Sequence, residues 1–172
     1  TRYWRDWSSD VCSSDLLGTA EMQTPAEQPV LATILRAGLP MHEGMLHIFD
    51  QAANAFVSAY RRHHKDGSFE IQVEYISTPP LENRILIVCD PMIATGSSME
   101  IAVRQLLKYG QPAQVHIACV IASADGIEHI RKNLPFAHIW TCAIDEELTA
   151  KSYIVPGLGD AGDLAYGEKN MD

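Results

Sequence analysis

Residues 86–98 read Leu86-Ile87-Val88-Cys89-Asp90-Pro91-Met92-Ile93-Ala94-Thr95-Gly96-Ser97-Ser98: an apolar run ends on an acid, crosses small residues and opens into a helical pattern. The apolar part is what a strand buried on both faces requires. Beyond it, a loop of Ala, Thr, Gly and Ser lets successive backbone N–H groups face one anion. Hydroxyls add donors, and the following helix turns its positive end toward the charge. Such a loop suits a monophosphate. No GxxxxGK[ST] pattern occurs and no Lys stands at the helix start, which argues against a triphosphate site of the Walker kind. A plain turn capped by Ser97 or Ser98 would account for the serines. It leaves Asp90, at the strand end, without a reason.

Outward from this stretch, strands and helices alternate. Residues 30–35, Val-Leu-Ala-Thr-Ile-Leu, form another short apolar run, stopped by Arg36-Ala37-Gly38. Met41, Met45, Ile48 and Phe49 follow at helical spacing. Residues 54–60 and 69–76 read as two strands of a hairpin around the charged turn 61–68. Residues 98–109 place Ile101, Ala102, Gln105, Leu106 and Tyr109 on one helical face, closed by Gly110. A strand over 115–121, a helix over 125–133 and a strand over 139–144 continue the series. This pattern predicts an α/β fold with a mostly parallel sheet covered on both faces. Residues 152–167, rich in Gly and Asp without a regular period, read as an irregular functional tail.

The chain has 172 residues, 47% hydrophobic and 20% charged, enough for one core. Thirteen Lys and Arg against 22 Asp and Glu give a formal charge of −9, which repels polyanions and argues against a nucleic-acid surface. No apolar run is long enough to cross a bilayer and no secretory signal pattern opens the chain, so a cytoplasmic protein is expected. Cys12, Cys89, Cys119 and Cys142 show no CxxC spacing, and the last three lie in apolar runs, as small hydrophobes would. No protein-borne metal cluster is expected. Residues 1–16 show neither helix nor strand periodicity. Within them, DWSSDVCSSDL (6–16) resembles one reading frame of a common sequencing-library adapter, so they are set aside as foreign. Removing their two Arg and three Asp leaves a charge of −8, so the acidic character stands.

The loop CDPMIATGSS resembles the phosphoribosyl-pyrophosphate loop of uracil phosphoribosyltransferases. The runs VLATILRAG (30–38), AID (143–145) and YIVPGLGDAGD (153–163) are similar to the same family, over about residues 17–169. The resemblance implies a type I phosphoribosyltransferase fold: a mostly parallel twisted sheet flanked by helices, with a β-arm and a small hood of C-terminal chain. It also implies that residues 17–172 form that domain lacking its N-terminal helical segment. The implied activity joins uracil to phosphoribosyl pyrophosphate to give UMP and pyrophosphate, with Mg2+ held mainly through the substrate. Members are homodimers or higher homo-oligomers, and some are activated by GTP.

By this resemblance Asp90, Arg36 and Asp160 carry the catalysis. Thr95, Gly96, Ser97 and Ser98 hold the 5′-phosphate, with Pro91, Met92, Ile93 and Ala94 completing the loop. Asp90 takes the ribose hydroxyls and favours positive charge on the sugar. Pro91 stands where many related transferases have a second acid, as it does in the uracil enzymes. Arg36 suits the diphosphate because its planar fork makes paired hydrogen bonds, and Arg61 reaches it from the arm. Uracil lies against backbone groups of Ile154, Gly159 and Ala161, with Asp160 turned toward the ribosyl substrate. Glycines allow that approach, and cytosine would set a donor against a donor.

Leu164 after GDAGD, Ser97 and Thr78 depart from the family pattern, which often has Arg, Gly and Lys there. Arg62, His63 and His64 read as a solvated turn, and His42 and His47 as helix-surface residues. Gly157-Leu158-Gly159-Asp160-Ala161-Gly162 satisfies GxGxxG. It follows Pro156 rather than a strand, opens no convincing helix and has no later acid at the usual separation, so a dinucleotide site is not expected. Two other readings stand beside the enzyme. One is a uracil- or UMP-binding regulatory paralogue that binds RNA, opposed by the charge of −8. The other is an inactive truncated fragment.

Overall fold

A computed structural model describes the backbone of residues 11–14, 18–21, 27–63 and 69–168, and within these the side chains of 27–58 and 74–168. Strands β1 (Val11–Ser14) and β2 (Gly18–Glu21) pair antiparallel, apart from the main sheet. Residues 11–14, expected to show no periodicity, are thus extended.

The main sheet begins with β3 (Val30–Leu35). Helix α1 (Leu39–Leu46) follows, with Pro40 in its first turn, where a missing N–H does no harm. It ends before Ile48 and Phe49, which were expected to extend it. Next come β4 (Ala53–His63) and β5 (Phe69–Ser77), an antiparallel hairpin with a register shift between Ser58 and Ala59. Arg62 and His63 therefore belong to a strand, not a turn, while His64 lies outside the described residues. Strand β6 (Ile85–Cys89) is followed by β7 (Met92–Ile93) and α2 (Ser97–Leu106), which tightens into a 3-10 turn at Leu107–Tyr109. Strand β8 (Gln114–Ser123), α3 (Ala124–Asn133) and β9 (Ala137–Asp145) complete the core. A short hairpin of β10 (Glu147–Leu148) and β11 (Ile154–Val155) precedes α4 (Ala161–Tyr166).

Strand order is β5-β4-β3-β6-β8, with β9 on the far edge of β8 and β7 resuming the pairing with β8 where β6 leaves it. All these pairs are parallel except β4–β5, as the alternation of elements predicts.

Alternation within strands sorts the residues onto two faces. Val30, Ala32, Ala55, Val57, Leu86, Val88, Val115 and Ile117 pack in one buried cluster with Met99, Val103, Leu106, Ile127 and Ile130 of α2 and α3. On the opposite face α1 lies over β3, β4 and β6. There His42 is 4% exposed, its Nε2 2.8 Å from Asn54 Oδ1 and its ring 5.3 Å from that of Phe56. The expectation that His42 sits on the helix surface is therefore corrected, because partners on β4 make a buried polar ring tolerable. His47, at the end of α1, is exposed as expected.

Full cover of both faces is also corrected. Over β8 and β9 the second face is open among the described residues, and Trp140 is 62% exposed, its indole N–H donating to His116 Nδ1 at 3.1 Å. Cys142 lies on the same strand and is exposed, unlike the buried Cys89 and Cys119. The Cys12 side chain is outside the described residues.

Helices α2 and α3 are cross-braced by Glu100, which accepts from Arg104 Nε at 2.8 Å and meets His129 Nε2 at 2.6 Å. Burial works against its ionisation, but Arg104 and His129 outweigh that and hold the carboxyl below its usual range. No helix among the described residues is long and apolar enough to cross a membrane.

Candidate active site at the strand ends

The C-terminal ends of β3 and β6 are neighbours in the sheet, so the two loops that leave them, bearing Arg36 and Asp90, open on the same side. That is where open α/β sheets place ligands. The loops are also locked together. Thr33 Oγ1, fully buried, donates to the Cys89 carbonyl at 3.3 Å. Gly38 fits into the remaining space, where a Cβ would stand 2.1 Å from Thr33 Oγ1 and 2.9 Å from the Cys89 oxygen. The Leu35–Arg36 peptide, at the start of this loop, is cis.

The phosphate loop is shaped by glycines and by α3. Gly96 is the N-cap of α2 with φ 78°, and no side chain caps the helix. Neither Ser97 nor Ser98 caps the helix, so a plain capped turn is not what forms; Ser97 N reaches Thr95 Oγ1 at 3.5 Å, and the start of α2 remains suited to an anion. A Cβ on Gly96 would also stand 2.8 Å from the Gly126 carbonyl. Ser123 Oγ accepts from Gly126 N at 2.8 Å and donates to the Ala94 carbonyl, pinning the loop to the start of α3. Thr95 Oγ1 lies 3.3 Å from Ser97 Oγ. Ile93 is 2% exposed and belongs to the core, so only its backbone is available to a ligand.

The tail folds over these loops. Its expected irregularity is corrected by α4, whose N-cap is Asp160, with Oδ1 accepting from Asp163 N at 2.9 Å. The GxGxxG stretch therefore does open a helix. It follows an antiparallel hairpin, not the βαβ unit a dinucleotide site needs. Gly157 N donates to Asp145 Oδ2 at 3.0 Å, so the acid of the AID run anchors the hood, a role its sequence alone does not reveal. Ile154 is buried, Gly159 has φ 81°, and the Val155–Pro156 peptide is cis. Arg36 reaches α4 directly, its Nη2 3.2 Å from Asp163 Oδ1.

Asp90 lies close enough to Asp160 for the charge of one to act on the other. Asp90 Oδ1 is enclosed and has no hydrogen-bond partner among the described residues. Removal from water, and secondly the negative charge of Asp160, push the Asp90 carboxyl up to about 8. An apolar hollow of about 490 Å³ adjoins it, lined among others by Ala37, Pro91, Val120, Leu158, Ala161 and Leu164. Arg36, Asp90, the 95–98 loop and the 154–161 backbone are thereby gathered at one end of the sheet. The backbone of Arg61 lies in β4, but its side chain is outside the described residues.

The raised carboxyl has a consequence for pH. Below 3.8, the ordinary value, Asp90 is protonated folded and unfolded alike; between 3.8 and about 8 only the folded chain keeps the proton. Stability of the ligand-free protein from this group is therefore full below that window and lost as pH rises through it. Thermal melts from pH 5 to 9 should show the decline in the wild type and lack this component in Asp90→Asn.

A group of three or more metal-ligating side chains is absent among the described residues. The orphaned Asp90 oxygen, facing the charge of Asp160, nonetheless fits a divalent cation that arrives with most of its ligands supplied by substrate.

Residues 14–168 match the family described as uracil phosphoribosyltransferase. A uracil phosphoribosyltransferase from Porphyromonas gingivalis is 54% identical over 154 residues, covering 89% of this chain and 71% of the relative. One from Thermococcus gammatolerans is 40% identical over 159 residues, covering 86% and 70%. A solved protein from Aquifex aeolicus superposes with a TM-score of 0.78 at 32% identity, covering 93% of this chain and 75% of that one. A purine phosphoribosyltransferase from Pyrococcus horikoshii, with TM-score 0.52 and 17% identity over 72% of this chain and 80% of that one, shares the fold.

Proposed function

Since this chain belongs to the uracil phosphoribosyltransferase family, we propose that it transfers the 5-phosphoribosyl group of phosphoribosyl pyrophosphate to uracil N1, forming UMP and pyrophosphate in pyrimidine salvage. The observation that carries the reading is the enclosed, unpartnered Asp90 oxygen at the end of β6, near enough to Asp160 to feel its charge and on the same side of the sheet as the start of α2 and Arg36.

In this reading the amides and hydroxyls of 95–98 take the 5′-phosphate, and Arg36, joined by Arg61, takes the diphosphate. Ribose hydroxyls donate to the Asp90 oxygen that the protein leaves unsatisfied. Uracil meets backbone groups of Ile154, Gly159 and Ala161. As the bond from the anomeric carbon to the diphosphate breaks and the bond from N1 forms, positive charge grows on the sugar, and the N1 proton passes to the departing diphosphate. Two carboxylates close to that charge lower the barrier. Asp90 and Asp160 are the acids that would help hold a magnesium ion arriving on the substrate, and the ion would supply neutralisation of charge on the leaving diphosphate.

The domain responsible is read as residues 17–172, with 1–16 foreign. A cytoplasmic location, assembly into a homodimer or larger homo-oligomer, and a GTP effector complete the reading; light scattering and assays with GTP address the last two. The central test incubates the protein with uracil, phosphoribosyl pyrophosphate and Mg2+ and follows UMP by mass spectrometry. UMP and pyrophosphate in equal amounts are expected. A folded protein that makes neither would sink the reading.

A further inference from the structure

Arg36 is gripped by one short helix. Its Nη2 donates to Asp163 Oδ1 at 3.2 Å and to the Gly167 carbonyl at 3.3 Å, and its guanidinium carbon lies 5.9 Å from the centre of the Tyr166 ring. All three partners belong to α4 or its C-cap. The Nε of the same guanidinium is buried and has no acceptor among the described residues. A buried N–H without a partner is costly, so this part of the fork suits an acceptor that comes from outside the protein.

Asp163 is itself fixed. Its N–H donates to Asp160 Oδ1, and its carbonyl accepts from Gly167 N at 2.8 Å. Asp160, Asp163 and Arg36 thus form a short chain of contacts from the acid of the cleft to the arginine on the β3–α1 loop. Gly162 sits between in a close fit: a Cβ there would be 3.2 Å from Asp160 Oδ1 and in ordinary contact, 3.8 Å, with the Ala37 Cβ. Arg36 and Asp163 side chains are 38% and 34% exposed, and an ion pair of that exposure adds little to folding stability. Such a contact is poorly explained as a structural staple. It is well explained as a device that orients a guanidinium.

We propose that Asp163 is the positioning residue of the diphosphate site, holding the Arg36 guanidinium by Nη2 so that its remaining donors meet the diphosphate, and joining that site to the segment that receives uracil. The proposal rests on the phosphoribosyltransferase reading. Asp163 acts through Arg36 and touches no reacting atom. The hydrogen bond matters more than the charge, because a neighbouring anion by itself would weaken the attraction of Arg36 for phosphate.

The test compares Asp163→Ala and Asp163→Asn by calorimetric titration with inorganic pyrophosphate and Mg2+, steady-state kinetics and thermal melting. Asp163→Ala should weaken pyrophosphate binding and raise KM for phosphoribosyl pyrophosphate by about tenfold, the worth of one oriented charge-assisted hydrogen bond. Its melting temperature should stay close to wild type. Asp163→Asn keeps an acceptor oxygen and should bind pyrophosphate at least as well as Asp163→Ala does, approaching or exceeding the wild type. In an Arg36→Ala background, Asp163→Ala should change nothing further. Unaltered or tighter pyrophosphate binding in Asp163→Ala would overturn the proposal, since Asp163 would then be idle or a competitor for Arg36. If Asp163→Ala fails to fold, Asp163→Ser serves as the truncation. A wild type that binds pyrophosphate yet makes no UMP would defeat the enzyme reading while leaving this comparison intact. One that binds no pyrophosphate would remove the proposal as well.

Discussion

Asp90→Asn is expected to lower kcat for UMP formation by about a thousandfold, an oxyanion-scale electrostatic loss of about 4 kcal/mol, while making the ligand-free protein more stable at pH 8–9. The two effects have one origin. Asp90 is half-buried with one carboxyl oxygen enclosed and satisfied by no described group, and this removal from water, with the nearby charge of Asp160, holds the carboxyl up to about 8. Ionising it without substrate is unfavourable, and Asn has the same shape but never ionises. The stability gain should be absent near pH 4 and grow to on the order of a few kcal/mol above pH 8. Melts across pH with parallel kinetics decide the matter. A variant that is less stable at pH 8.5, or that retains activity, would show that the carboxylate is neither strained in the free protein nor needed by the sugar.

Gly38→Ala should damage both the floor of the cleft and the stability of the fold. φ at Gly38 is an ordinary −73°, so the obstacle is space. The new Cβ would stand 2.1 Å from Thr33 Oγ1, 2.8 Å from the Ile34 carbonyl and 2.9 Å from the Cys89 carbonyl. Thr33 is fully buried and spends its hydroxyl on the Cys89 carbonyl, so it has no route of retreat. Overpacking of this kind costs about 3 kcal/mol, or a fall of about 6–12 °C in Tm for a chain of this size. Arg36 and Asp90 flank the collision on separate loops, so kcat/KM should fall with stability. Gly44→Ala is the control: nothing lies within 4 Å of its added Cβ in α1, and it should stabilise by about 0.5–1 kcal/mol. Equal melting temperatures for the two variants would refute the packing argument.

The sheet was legible because its central strands are short, apolar and β-branched, and each ends on a residue that a core would reject, Arg36 or Asp90. The phosphate loop was legible for the same reason. Helix α4 was not, because six residues, Ala-Gly-Asp-Leu-Ala-Tyr, carry too little periodicity to stand out, and its Asp160 cap reads equally well as a ligand-binding acid. His42 was misread because its partners, Asn54 and Cys89, lie 12 and 47 positions away and nothing local reveals them. Cys142 sits in an apolar run, but on the face of β9 away from α3, where no described helix covers it. Asp145 and Asp163 hold their places through contacts made only after the tail has folded back.

The bond from Thr33 to the Cys89 carbonyl has a dynamic consequence. It ties the loops of Arg36 and Asp90 to one floor, so under the proposed reading sugar and leaving group would meet groups with a fixed mutual spacing. Under the same reading, any opening for substrate and nucleotide would fall to the C-terminal flap, which Asp145 ties down at Gly157.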